Sequence, residues 1–143
     1  MKNDISPKKT KVVFGNDSIV IRKYISGIPG GRTLDCSDFP EDNVLAGHVI
    51  IKKADGNYAP MPIKAATEAV GETPASPAGY DTLPAGAKYV GILRSSISKD
   101  NPAASIMYDG IVNPTVTPYP MDSIMDEFTA AVPHIIFEQD EEA

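Results

Sequence analysis

The chain has 143 residues, 42% of them hydrophobic, enough for one domain that buries about two-thirds of its unfolded surface. A net charge of −6 denies it the cationic footprint by which nucleic-acid binders release phosphate counterions, and with no tryptophan it has little material for stacking bases. One cysteine, Cys36, rules out an intrachain disulfide, and aliphatic runs as short as Val49-Ile50-Ile51 predict neither a membrane span nor a secretory leader, so synthesis in a reducing cytoplasm is expected.

Residues 1–11 read as a basic N-terminal arm, with Lys2, Lys8, Lys9 and Lys11 against a single Asp4. KVVF, the turn-prone Gly15-Asn16-Asp17 and SIVIRKYI together predict a hairpin. Arg32 to Asp35 reads as a short strand, and Asp42 to Ala46 as a helical turn. Val49 to Lys53 is a strand that turns at Asp55-Gly56 and returns toward Tyr58, closed by Pro60 and Pro62. Residues 63–84 form a Pro/Ala-rich loop insertion, with a turn of helix expected over Ala65 to Val70. Tyr89 to Leu93 is a compact apolar strand whose central Gly91 marks a bulge or the close approach of another backbone.

Ser105 to Val112 reads as strand, Asp-Gly turn or bulge, and strand. The three prolines of residues 113–120 keep that segment extended. Asp122 is placed to cap a helix over Ser123 to Val132, whose Ile124, Met125, Phe128 and Val132 make one apolar stripe. Pro133 ends it, His134 to Phe137 is a last strand, and 138–143 is an acidic tail. These elements add up to a mainly β domain over 12–137, a compact small barrel or sandwich with one short C-terminal helix and an extended N-terminal arm.

No motif for catalysis emerges. Cys36 could meet His48 or His134, but its flanking Asp35 and Asp38 oppose the low pKa that a reactive thiolate needs. Ser96-Ile97-Ser98-Lys99 matches S-x-x-K without the companion motifs of the penicillin-recognising enzymes. Asp35, Asp38, Glu41 and Asp42 are the densest carboxylates, yet their spacing is not that of a calcium loop, and phosphate-binding glycine motifs are missing. The expectation is a protein that is not an enzyme and carries no metal or cofactor.

The succession VIIK–ADGN–YAPMP, loop, YVGIL, MYDGIV, short helix and IIF resembles the auxiliary head proteins of tailed bacteriophages, the head decoration and head fibre proteins. In that class a V-G-I-L strand follows a strand–D-G–strand unit and a later strand carries a central glycine. The resemblance spans about two-thirds of the chain; the N-terminal hairpin and the loop at 71–84 depart from the compact type. It implies a structural virion protein on the capsid exterior, made in the host cytoplasm, that binds the major capsid protein and stabilises or decorates the coat lattice. Self-association as a homotrimer and contact with other head proteins are implied by the same analogy; nucleic acid and membrane are not. The coat contact would fall to Lys8, Lys9 and Lys11, meeting carboxylates, and to Val12, Val13 and Phe14, adding a strand to a sheet edge. The alternative is a carbohydrate-binding surface module using Tyr58, Tyr80 and Tyr119.

Overall fold

The computed structural model describes residues 15–75 and 77–139. In chain order the elements are α1 (Asp17–Val20), β1 (Ile21–Gly27), β2 (Arg32–Thr33), β3 (Asn43–Val44), β4 (Val49–Lys52), β5 (Tyr58–Pro60), β6 (Ile63–Lys64), β7 (Gly79–Tyr80), β8 (Lys88–Leu93), β9 (Ile97–Ser98), β10 (Ala103–Ala104), β11 (Ile106–Val112), α2 (Met125–Ala131) and β12 (Ile135–Phe137). The protein is mainly β, as its proline and glycine spacing demands.

Hydrogen-bonded neighbours run β1-β11-β8-β4-β5, and β12 adds to β11 in parallel. Ile106 and Met107 of β11 face β8, while Gly110 to Val112 face β12, so one strand serves two partners along the same side. The sheet stays open and does not close into a barrel. Pro60 lies on the edge strand β5, where a missing N–H costs no ladder bond. The turn at Asp55-Gly56 links β4 to β5 through Lys53 N–H to the Asn57 carbonyl at 2.8 Å.

Gly91 holds the middle of this sheet together. A Cβ there would strike the Met107 carbonyl oxygen and reach Ile106 Cγ2 at 3.0 Å, so only glycine lets β11 approach β8 so closely. Both features expected of YVGIL are present, the close backbone approach to β11 and, against β4, a register shift beside Gly91 between the Ile50 and Ile51 pairs.

The central strands bury both faces. Val49 and Ile51 of β4, with Ile92 of β8, belong to a first core built around Phe128 of α2, Ile135 of β12 and Tyr80 of β7. Ile50 and Leu93 point the other way, into a second core with Leu34, Phe39, Val44, Ile97 and Ile106. The sheet is therefore a middle layer, and VIIK is apolar on both sides for that reason. The second cover stops short: Ile136, opposite Ile111 across β11 and β12, is 57% exposed.

Several expected elements differ. Asp17 to Val20 is a helical turn, so the strand begins only at Ile21; Val20 is fully buried and packs against Gly47, a contact that local β propensity does not foresee. The other half of the expected hairpin, KVVF, lies outside the described residues. Asn43–Val44 is a strand paired with Ile97–Ser98 rather than part of a helical turn, because Val44 fills the second core. Residues 65–70 hold no helix; Val70 and Thr73 exchange backbone bonds around a turn instead. Asp109-Gly110 does not turn the chain. It lies inside the continuous β11, where the other expectation, a bulge, is met: the ladder to β1 shifts register between Tyr24 and Ser26, opposite Gly110 and Asp109. Asp122 makes no cap: α2 starts after Ile124 with no side-chain cap bond, although Ile124, Phe128 and Val132 of the expected stripe are buried and Met125 is partly buried against the same core.

Candidate functional site: an acidic pocket floored by a histidine

His48 is set by the turn between β3 and β4, where its N–H meets the Leu45 carbonyl at 3.1 Å. The turn depends on Gly47, at φ 92, where a Cβ would lie 2.5 Å from Val20 Cγ2. The imidazole is 1% exposed and touches three aromatic rings edge-on: Phe39 at 5.2 Å, Tyr80 at 5.1 Å and Tyr119 at 5.7 Å between centroids. Nε2 lies 2.9 Å from the Met61 carbonyl oxygen, which can only accept, so Nε2 carries the proton and Nδ1 is left with a lone pair. Nδ1 has no hydrogen-bond partner among the described residues. Burial lowers the His48 pKa to about 4, with the Met61 carbonyl opposing the shift, so the ring is neutral at pH 7.

Above this ring lies a pocket of about 370 Å³. Glu41, Asp42, Asn43, Pro118 and Tyr119 line it together with Phe39, Leu45 and His48. The prolines of residues 113–120 hold Tyr119 in place, helped by Thr117 Oγ1, which bonds the Pro114 carbonyl at 3.1 Å and the Tyr119 carbonyl at 2.9 Å. Partial burial and then the nearby Glu41 charge raise the Tyr119 pKa, which keeps its phenol protonated. The lining thus combines two carboxylates, an amide, a phenol and two aromatic surfaces, with no cationic side chain among the described residues that form it.

The residues singled out from sequence fare differently. Lys8, Lys9, Lys11, Val12, Val13 and Phe14 lie outside the described residues. Cys36 is buried, and burial raises its pKa, with Asp35 adding to the shift and Lys99 opposing it. His48 gives one nitrogen to Met61 and neither to Cys36. Ser96 and Lys99 do structural work: the Ser96 hydroxyl donates to Asp17 Oδ1 and accepts from Ala46 N–H, while Lys99 Nζ donates to the Phe39 carbonyl at 2.6 Å. Asp35 is tied to Lys53 Nζ at 2.5 Å and to Ser37. Those hydrogen bonds hold its pKa well below the usual carboxylate range. Among the described residues no three His, Cys, Asp or Glu side chains converge as a metal site would need, and no helix is long and apolar enough to cross a membrane.

The tyrosines expected to hold a glycan are not three exposed rings: Tyr80 and Tyr119 pack edge-on at 5.6 Å, with Tyr80 buried beneath the surface. Tyr80 is buried, its hydroxyl accepting from Val49 N–H at 3.1 Å, and Tyr58 lies elsewhere with Arg32 and Lys52 each 5.7 Å from its ring. The His48 pocket was missed in the sequence. Its one local signal is a histidine between Gly47 and a buried strand, and Glu41 and Tyr119 are brought together only by tertiary packing. The chain matches no family model, and comparison with curated proteins and with solved structures returned no match.

Proposed function

We propose that this chain is an auxiliary head protein of a tailed bacteriophage, a structural protein that binds the outer face of the coat and stabilises or decorates its lattice. The observation that supports this reading is the order of elements: the D-G hairpin of β4 and β5, the glycine-centred YVGIL strand, the MYDGIV strand beside it, and a short helix leading to a final strand. A sheet covered on both sides suits a rigid platform, and an acidic, disulfide-free chain suits assembly in a cytoplasm. The basic residues Lys8, Lys9 and Lys11 meet carboxylates of the major capsid protein, and Val12 to Phe14 add a strand to one of its sheet edges. Binding only the expanded lattice stabilises that lattice by the binding free energy, repeated at every site.

The test mixes purified protein with expanded and unexpanded shells and measures what co-sediments. Preference for expanded shells is expected, and removing residues 1–11 weakens it, most of all at low salt where charge contacts count most. Equal binding to both shells, or none, would sink the clamp.

A further inference from the structure

We infer that the pocket above His48 is a binding site for an alkylammonium group, the chemistry of a lysine side chain or a small primary amine. Three independent features of the walls converge on that class. Glu41 and Asp42 supply negative charge, and among the described residues no cationic side chain lines the pocket to neutralise them. Lys99, held close by through its bond to the Phe39 carbonyl, is not part of the wall. Tyr119 and Phe39 offer aromatic surface to a cation and to the methylene stem behind it. His48, which also lines the pocket, contributes Nδ1, a buried acceptor with no partner among the described residues, which calls for a donor.

An ammonium group carries three donors and no acceptor, so it matches the carboxylates and the Nδ1 lone pair in kind, whereas Glu41 and Asp42 would repel a carboxylate or phosphate. A volume of about 370 Å³ holds a four-carbon amine with room for water beside the carboxylates. His48 Nδ1 is buried among the rings of Phe39, Tyr80 and Tyr119, so a guest reaches it only where those rings give way, whereas one at the mouth meets Glu41 and Asp42 directly. This inference is independent of the coat-binding reading, and its test needs only the isolated chain.

The experiment is a titration of the full ¹⁵N-labelled chain with n-butylammonium, followed by amide and imidazole resonances, with n-butanol as the uncharged control. Saturable shifts at Asp42, Asn43, His48 and Tyr119 are expected for the amine and not for the alcohol. The double substitution Glu41→Gln, Asp42→Asn touches exposed side chains and weakens binding about fivefold, as does raising the salt. Nα-acetyl-lysine methylamide distinguishes the sources: binding as tight as butylammonium assigns the site to a lysine of a partner protein, and much weaker binding assigns it to a free amine. Equal shifts with butanol, shifts located elsewhere, or unchanged affinity in the double variant would overturn the site.

Discussion

On one face of the central sheet Phe128 arrives on a helix; on the other Phe39 arrives on a loop. The helical side is secured by main-chain bonds, Phe128 N–H to Ile124 and Val132 N–H to Phe128, both at 2.8 Å. The loop side is secured by links between distant segments: Leu34 N–H to the Pro102 carbonyl at 2.9 Å, Asp35 N–H to the Tyr58 carbonyl at 2.7 Å, and Lys53 and Lys99 reaching Asp35 and Phe39. A cover made of loops can relax when a side chain is lost, whereas a helix docked on a sheet keeps its shape and leaves a cavity. The first face should therefore be the stiff one and the second the place where the molecule opens first.

The largest expected effect is the contrast between Phe128→Ala and Leu34→Ala. The first should cost about 4 kcal/mol of unfolding free energy and the second about 2 kcal/mol, read by urea denaturation at pH 7. Equal costs would mean that the loop side is as unyielding as the helical side.

His48 lies where the two faces meet, touching Phe39 of the second core and Tyr80 of the first, so its protonation loads both. Its folded pKa of about 4 lies below the ordinary 6.5, so the unfolded chain takes up a proton that the folded chain refuses. Stability is whole above pH 6.5 and falls as the pH drops toward 4, by about 3 kcal/mol from this group. In His48→Gln, whose amide can still donate to Met61, unfolding midpoints between pH 6.5 and 4 should lose most of that slope. An unchanged slope would remove His48 as the cause.

The smallest effect sharpens the comparison most finely. Asp35→Asn weakens the link to Lys53 and should speed hydrogen exchange of the Leu34 and Asp35 amides while the amides of α2 are unaffected. Its consequence for acidity runs the same way: the Asp35 carboxylate, held below its usual pKa by Lys53 and Ser37, contributes stability above about pH 4 that is lost only in stronger acid. That window lies below the one in which His48 acts, so the two can be separated.

Much of the sheet was legible from local signals. The strands at Val49, Tyr58, Tyr89 and Ile135 follow from β-branched and aromatic runs bounded by turn residues, and Gly91 disclosed a close backbone approach because a glycine in an apolar strand has few other uses. The stripe of α2 follows from its period. Legibility failed at short segments whose state is set by a distant partner. Val20 is helical beside Gly47, Val44 is a strand beside Ile97, and Asp109-Gly110 runs straight on because β1 and β12 flank it.

By itself the sequence determined a disulfide-free, mainly β chain with a D-G hairpin, a glycine-centred strand and one amphipathic helix, since these depend on the conformational preferences and periodicity of neighbouring residues. Only the tertiary structure decided that the sheet would be a middle layer between two cores, and that Glu41, Asp42, His48 and Tyr119 would share a pocket. Tyr119 lies more than seventy residues beyond His48 in the chain, and no local preference encodes a contact across that distance. Burying the apolar faces of β4 and β8 on both sides is what draws those segments together, and the pocket is the space their polar side chains leave between them.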